Sequence, residues 1–154
     1  MKKIMLNTNV FCRPFDDKTN PEIQEESDFS QRILELAEQK KIKIIVSDIL
    51  YAELSLMEDE RKRDIILHEI KSVSQERVSV ISKIHRLAQE LRNLIGDYSD
   101  DLHIASAAIS RCECLVTCDK QLIKARSKIE SFLLSKGYKL SIVAPKEFID
   151  SLGG

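Results

Sequence analysis

Tryptophan is absent and aromatic residues make up only 5% of the chain, so the core has to be built from Ile, Leu, Val and Ala rather than from large rings. Glycine and proline are scarce, four and three in 154 residues, which favours long helices joined by few loops. A formal net charge of -1 gives no global basic field. Any nucleic-acid partner therefore needs a local patch, or contact with phosphate through a metal ion. The chain has no apolar stretch near the ~20 residues of a membrane-spanning helix. Met1-Lys2-Lys3 opens no long apolar segment of the kind that ends at a signal-peptide cleavage site. The expectation is a cytoplasmic protein with no membrane partner, in which Cys12, Cys112, Cys114 and Cys118 remain thiols. The last three lack a paired Cys-x-x-Cys and read as small buried hydrophobes rather than metal ligands.

What is present is 43% apolar and 32% charged residues, a soluble globular balance. The length suits a single domain spanning residues 1–154. Strands are expected at Lys3–Leu6, Ile42–Val46 and Glu113–Thr117, with a short edge strand at Arg77–Ile81 and a last one at Lys139–Val143. Arg13–Pro21 reads as a loop. Helical spacing covers Pro21–Lys40, the segment after Ser47 or Asp48, Asp59–Ser72, Ser82–Ile95 closed by Gly96, Ser99–Arg111, Lys120–Lys136 and a terminal helix from Pro145. Strands alternating with helices specify an α/β fold, a parallel sheet covered on both faces in three α/β/α layers. Sites in such sheets form beyond the carboxyl ends of the strands, near the topological switch.

Polar residues fall at those places. Asn7 follows the first strand, Glu53 lies about two turns into the helix after the second, Asp100 is in the first turn of a helix, and Asp119 follows the third buried strand. Asp100 or Asp119 taken singly is a common helix cap. Glu53, beside Leu50, Leu54 and Met57, is on the buried side of its helix, where a lone carboxylate is costly. Several such acids are explained together if they hold a hard divalent cation through oxygen.

The segments Leu6-Asn7-Thr8-Asn9-Val10-Phe11, Ser47 to Leu54, Asp100-Asp101-Leu102-His103-Ile104-Ala105 and Leu115-Val116-Thr117-Cys118-Asp119 resemble, in order, the signature of the PIN-domain nucleases, which include the VapC-type toxins. The resemblance spans nearly the whole chain. It implies a ribonuclease that cuts single-stranded RNA with Mg²⁺ or Mn²⁺ held by Asn7, Glu53, Asp100 and Asp119, the catalytic and metal positions. Thr8 and Thr117 would stand beside the metal, and Asn9 would brace the loop. His103 would pack or hydrogen-bond structurally rather than act as a base, and Asp101 would point away or lie behind the ligands. Arg13 overhangs the proposed site, either contacting phosphate or forming a local ion pair within its turn, and Asp16 or Asp17 would add charge near the metal.

The family carries Asp where this chain has Asn7. An amide offers a cation its carbonyl oxygen but no negative charge, and it cannot act as a base. Three outcomes follow: a metal-dependent ribonuclease, in many members of the family the toxin of a toxin–antitoxin pair; a catalytically silent fold that binds RNA or protein; or another metal-dependent hydrolase on a similar sheet. The resemblance also implies an antitoxin protein partner and a homodimer. The apolar helix faces in 22–40 and 59–95 exceed what one sheet face needs, which fits a homodimer.

Overall fold

Each of the long strands carries apolar side chains on both faces, and that decides the architecture. A computed structural model describes residues 1–153, Gln75 by its backbone alone. Its strands are Lys2–Leu6 (β1), Ile42–Ser47 (β2), Ser74–Val78 (β3), Cys114–Val116 (β4) and Ser141–Val143 (β5). They form one five-stranded sheet in the order β3-β2-β1-β4-β5, every pair parallel. Because side chains alternate along a strand, Ile4 and Leu6 enter one core while Met5 enters the other. Ile44 and Val46 likewise separate from Ile45.

Eight helices cover the sheet: Thr8–Cys12 (α1), Pro21–Glu38 (α2), Asp48–Ser55 (α3), Glu60–Val73 (α4), Ser82–Ile95 (α5), Tyr98–Ile109 (α6), Lys120–Ser135 (α7) and Pro145–Leu152 (α8). On one face Ile33, Leu50, Ile66, Ile70 and Phe148 pack from α2, α3, α4 and α8. On the other, Ile84, Leu91, Ile104, Ile129 and Leu133 pack from α5, α6 and α7. The three α/β/α layers expected from the alternation are the ones observed.

Several boundaries differ from the sequence reading by one to three residues, β5 for example opening at Ser141 rather than Lys139. The edge strand begins at Ser74 rather than Arg77, because α4 runs on to Val73 and the chain pairs with β2 at once. The register shifts between Ile44 and Ile45, and Val80 and Ile81 lie beyond the ladder. The helix carrying Asp100 starts at Tyr98, not Ser99, because Asp97 is its cap and accepts from Asp100 N at 3.1 Å. The segment after Asn7 is a short helix and Arg13–Phe15 a 3-10 turn, where only a loop from Arg13 onward is expected.

Every residue from Asp101 to Ala108 is buried, which small side chains at 105 to 108 permit by letting α6 lie between the sheet and α5. This draws Asp101, His103 and Ser106 out of water. Gly96 joins α5 to α6 with φ 82° and donates its N–H to Arg92 O at 2.9 Å. A Cβ there meets no atom within 4 Å, so the cost of Gly96→Ala is backbone conformation alone. The expected result is a loss of about 1–2 kcal/mol in urea unfolding with unchanged secondary structure.

Candidate functional site at the switch of the sheet

The chain builds the sheet outward from β1 in one direction through β2 and β3, then returns to β1's other side with β4 and β5. The crevice between the carboxyl ends of β1 and β4 is thus the switch point, where strand ends and helix starts leave room for a ligand. Asn7 closes β1 there, its N–H donating to Val116 O at 2.9 Å. Thr117 to Asp119 close β4, and α7 begins at once.

Asn7 is 4% exposed, and both ends of its amide are engaged. Its Oδ1 accepts from Thr8 N at 2.7 Å, capping α1, and its Nδ2 donates to Thr117 Oγ1 at 3.0 Å. Asn9 adds a second tie across the crevice, accepting from Cys118 N at 3.0 Å through Oδ1 and reaching Thr117 Oγ1 at 3.4 Å through Nδ2. Asp119 N also donates to Thr117 Oγ1, at 3.0 Å. Three donors therefore converge on one hydroxyl oxygen that has two lone pairs, and among the described residues the Thr117 O–H has no acceptor.

Glu53 enters from α3. Its Oε1 accepts from Thr8 Oγ1 at 2.8 Å and is paired with Nε2 of the buried His103 on α6. Burial works to raise the Glu53 carboxyl, but hydrogen bonds from His103, Thr8 and Ser99 outweigh it and hold it below the ordinary carboxylate range. His103 is thereby a brace for Glu53, linking residues 50 apart in sequence. Asp119 caps α7, its Oδ1 accepting from Gln121 N at 2.8 Å and Leu122 N at 3.3 Å.

Asp100 faces the opposite pressure. Burial, with the like charges of Asp97, Asp119 and Glu53, pushes its carboxyl up to about 6 despite His103. Asp100 thus lies within the field of both Glu53 and Asp119 at one end of the sheet. Asp101, its neighbour in sequence, is fully buried, and its carboxyl oxygens have no hydrogen-bond partner among the described residues.

The donors suit a hard divalent cation in kind: three carboxylates, an amide and two threonine hydroxyls, all oxygen. Among the described residues, though, no three His, Cys, Asp or Glu side chains stand close enough to form a ready cage. Asn7, bonded to Thr8 and Thr117 at the end of β1, supplies no charge.

The overhanging turn does not supply it either. Arg13 Nη1 pairs with Asp16 Oδ2 at 2.9 Å and Arg13 Nε with Glu26 Oε1 at 3.4 Å, so this guanidinium serves the local ion pair of the two roles open to it. The cysteines are free thiols. Burial pushes Cys112 and Cys118 up to about 12, which leaves them inert.

Residues 3–121 match the PIN domain family. The chain belongs to the PIN-domain family. Among curated proteins no match is found. Among solved structures, a chain of VapBC2 from Rickettsia felis, bound to a DNA fragment from their promoter, superposes on this PIN domain with a TM-score of 0.53 and 20% identity. The alignment covers 79% of this chain and 91% of that one. At that identity the likeness is one of fold. No helix among the described residues of this PIN domain is long and apolar enough to cross a membrane.

Proposed function

We propose that residues 1–154 act as one PIN domain whose activity is Mg²⁺- or Mn²⁺-dependent hydrolysis of single-stranded RNA. The observation that carries this reading is the bonded network at the switch of the sheet, in which Asn7 reaches Thr117, Glu53 reaches Thr8, and Asp119 caps α7 next to Thr117. The positions that would hold the cation are Asn7, Glu53, Asp100 and Asp119. A bound divalent ion supplies an activated water and offsets charge on the phosphate in the transition state.

The chain's own residues do the positioning. His103 and Thr8 both hold Oε1 of Glu53 and so fix the orientation of its carboxylate in the crevice. Thr117 ties the end of β4 to Asn7 and fixes the start of α7, which carries Asp119.

Membership of the PIN-domain family, which includes the VapC-type toxins, is the ground for a further step: this chain is the toxin of a cytoplasmic toxin–antitoxin pair, with an antitoxin as protein partner and a homodimer as its working form. Exposed Leu56 and Ile65 offer apolar surface for such association.

One observation favours a silent module instead. Asn7 spends both ends of its amide on the protein, its Nδ2 on Thr117 and one lone pair of its Oδ1 on Thr8 N, and it brings no negative charge to a cation. The two readings separate in a paired assay. The chain, its Asn7→Asp variant and an Asn7→Asp/Asp100→Asn double variant are incubated with single-stranded RNA and Mn²⁺. Cleavage by the Asn7→Asp variant alone, or above the others, supports the nuclease; no cleavage by any of them supports the silent module.

A further inference from the structure

Beside the switch crevice lies a cleft of about 510 Å³, large enough for a nucleotide-sized ligand. It shares Thr117 and Cys118 with the crevice, so a chain seated on one is led directly into the other. Phe29 of α2, Ile123 of α7 and Pro145 at the start of α8 give it an apolar floor. Two lysines on its rim, Lys124 and Lys146, are exposed and make no ion pair among the described residues. Glu25, which also lines the cleft, is exposed and without a salt bridge among the described residues, whereas Glu22 pairs with Lys120 and Glu26 with Arg13.

We propose that this cleft is the subsite for one nucleobase of the RNA, and that it favours guanine. The inference rests on the ribonuclease reading for its polymer and adds to it the base that the polymer presents. Apolar walls with an aromatic ring accept the face of any base, because stacking depends little on its identity. Lys124 and Lys146 take the phosphates on either side of that base, which a chain with a net charge of -1 can do only through such a local pair. Glu25 sets the preference. A carboxylate accepts two N–H donors side by side, and the Watson–Crick edge of guanine presents such a pair, N1–H and the N2 amino group. Uracil presents one N–H between two carbonyl oxygens, and those oxygens are repelled by the carboxylate. A protein segment lacks the regular phosphates that two unpaired lysines lining an apolar slot would meet.

The test is binding without metal, so that no cutting is required. Fluorescence anisotropy in EDTA compares the full chain against short single-stranded RNAs that differ only in carrying G or U at a central position. The expected result is about tenfold tighter binding of the G-containing strand. Glu25→Ala, at an exposed position, narrows that ratio to about twofold or less. Lys124→Ala/Lys146→Ala weakens both RNAs alike and lowers the salt slope of log K by about 1.4, two contacts at ~0.7 each for a single strand.

Equal binding of G and U by the unmodified chain, or a preference that Glu25→Ala leaves intact, overturns the subsite. So does binding of RNA with an unchanged salt slope in the double lysine variant. Absence of binding to either RNA, with a protein partner displaced by Lys124→Ala/Lys146→Ala instead, also overturns it and assigns the cleft to protein. Cleavage by the Asn7→Asp variant with no base preference would sink the subsite while leaving the nuclease reading standing. G-selective binding with no cleavage by any variant would do the reverse.

Discussion

Asn7→Asp is expected to raise Mn²⁺-dependent cleavage of single-stranded RNA by about 10–100-fold over the chain as it stands. The hydrogen-bond pattern around position 7 supports that expectation. Thr117 Oγ1 already receives Asp119 N, Asn9 Nδ2 and Asn7 Nδ2, more donors than it has lone pairs, while its own O–H has no acceptor among the described residues. A carboxylate at position 7 reverses one of those bonds. The Thr117 hydroxyl then donates to it and keeps its two lone pairs for Asp119 N and Asn9. The helix cap is retained too, since one carboxylate oxygen still accepts from Thr8 N. The crevice is therefore better matched to Asp than to the Asn it contains. The added anion joins a crevice in which the next residue, Thr8, is already bonded to the Glu53 carboxylate. Without metal the Asn7→Asp variant should therefore be less stable than the parent, and the difference should shrink or reverse as Mn²⁺ is added. Thermal unfolding with and without Mn²⁺ reads this directly. A variant equally stable in both conditions, and inactive on RNA, would contradict the account.

The second large effect concerns the platform rather than the ligands. Phe11→Ala is expected to cost about 3–5 kcal/mol in denaturant unfolding, the range for truncating a buried aromatic. Phe11 is 1% exposed and, with Val10, is the buried anchor of the five-residue α1. So short a helix has little stability of its own. Its packing is what presents Thr8 to Glu53 and Asn9 to Cys118. In the Asn7→Asp background, Phe11→Ala should lower cleavage more than its loss of folded population explains, at temperatures where the protein remains folded. Phe148→Ala makes the comparison: Phe148 is equally buried in the same core but sits on α8, so it should cost similar stability and spare activity.

The layered α/β/α fold was legible because the relevant signals are local. The β-branched run Ile42 to Val46, the apolar stripe of α2 from Pro21 onward and the Gly96 stop are written in consecutive residues. The edge strand lies three residues earlier than its pattern suggests because the Arg77–Ile81 alternation reads as a strand, while pairing with β2 begins where α4 ends. Thr8–Cys12 gave no helical periodicity, being too short to show one. The start of α6 was misread because Asp97 and Ser99 are both good caps, and only the bond from Asp100 N to Asp97 decides between them.

Around the crevice, the residue types at positions 7, 53, 100 and 119 could be picked out in sequence, but their connections could not. His103 and Glu53 are 50 residues apart, and Asn7 and Thr117 are 110 apart. No spacing rule predicts that a buried helix histidine braces one carboxylate, or that three donors meet at a threonine. Arg13 was open to two readings, and Glu26, from the next helix, completes the ion-pair set that occupies it.

The central claim is that Glu53, Asp100 and Asp119, completed by a carboxylate at position 7, hold a divalent cation. Calorimetric titration with Mn²⁺ tests it most directly, since it needs neither the right RNA nor a partner. The account predicts weak binding to the chain as it stands and binding about 10–100-fold tighter to the Asn7→Asp variant. Adding Asp100→Asn to that variant should remove the gain. Mn²⁺ affinity that is the same for the chain, for Asn7→Asp and for the double variant would contradict it.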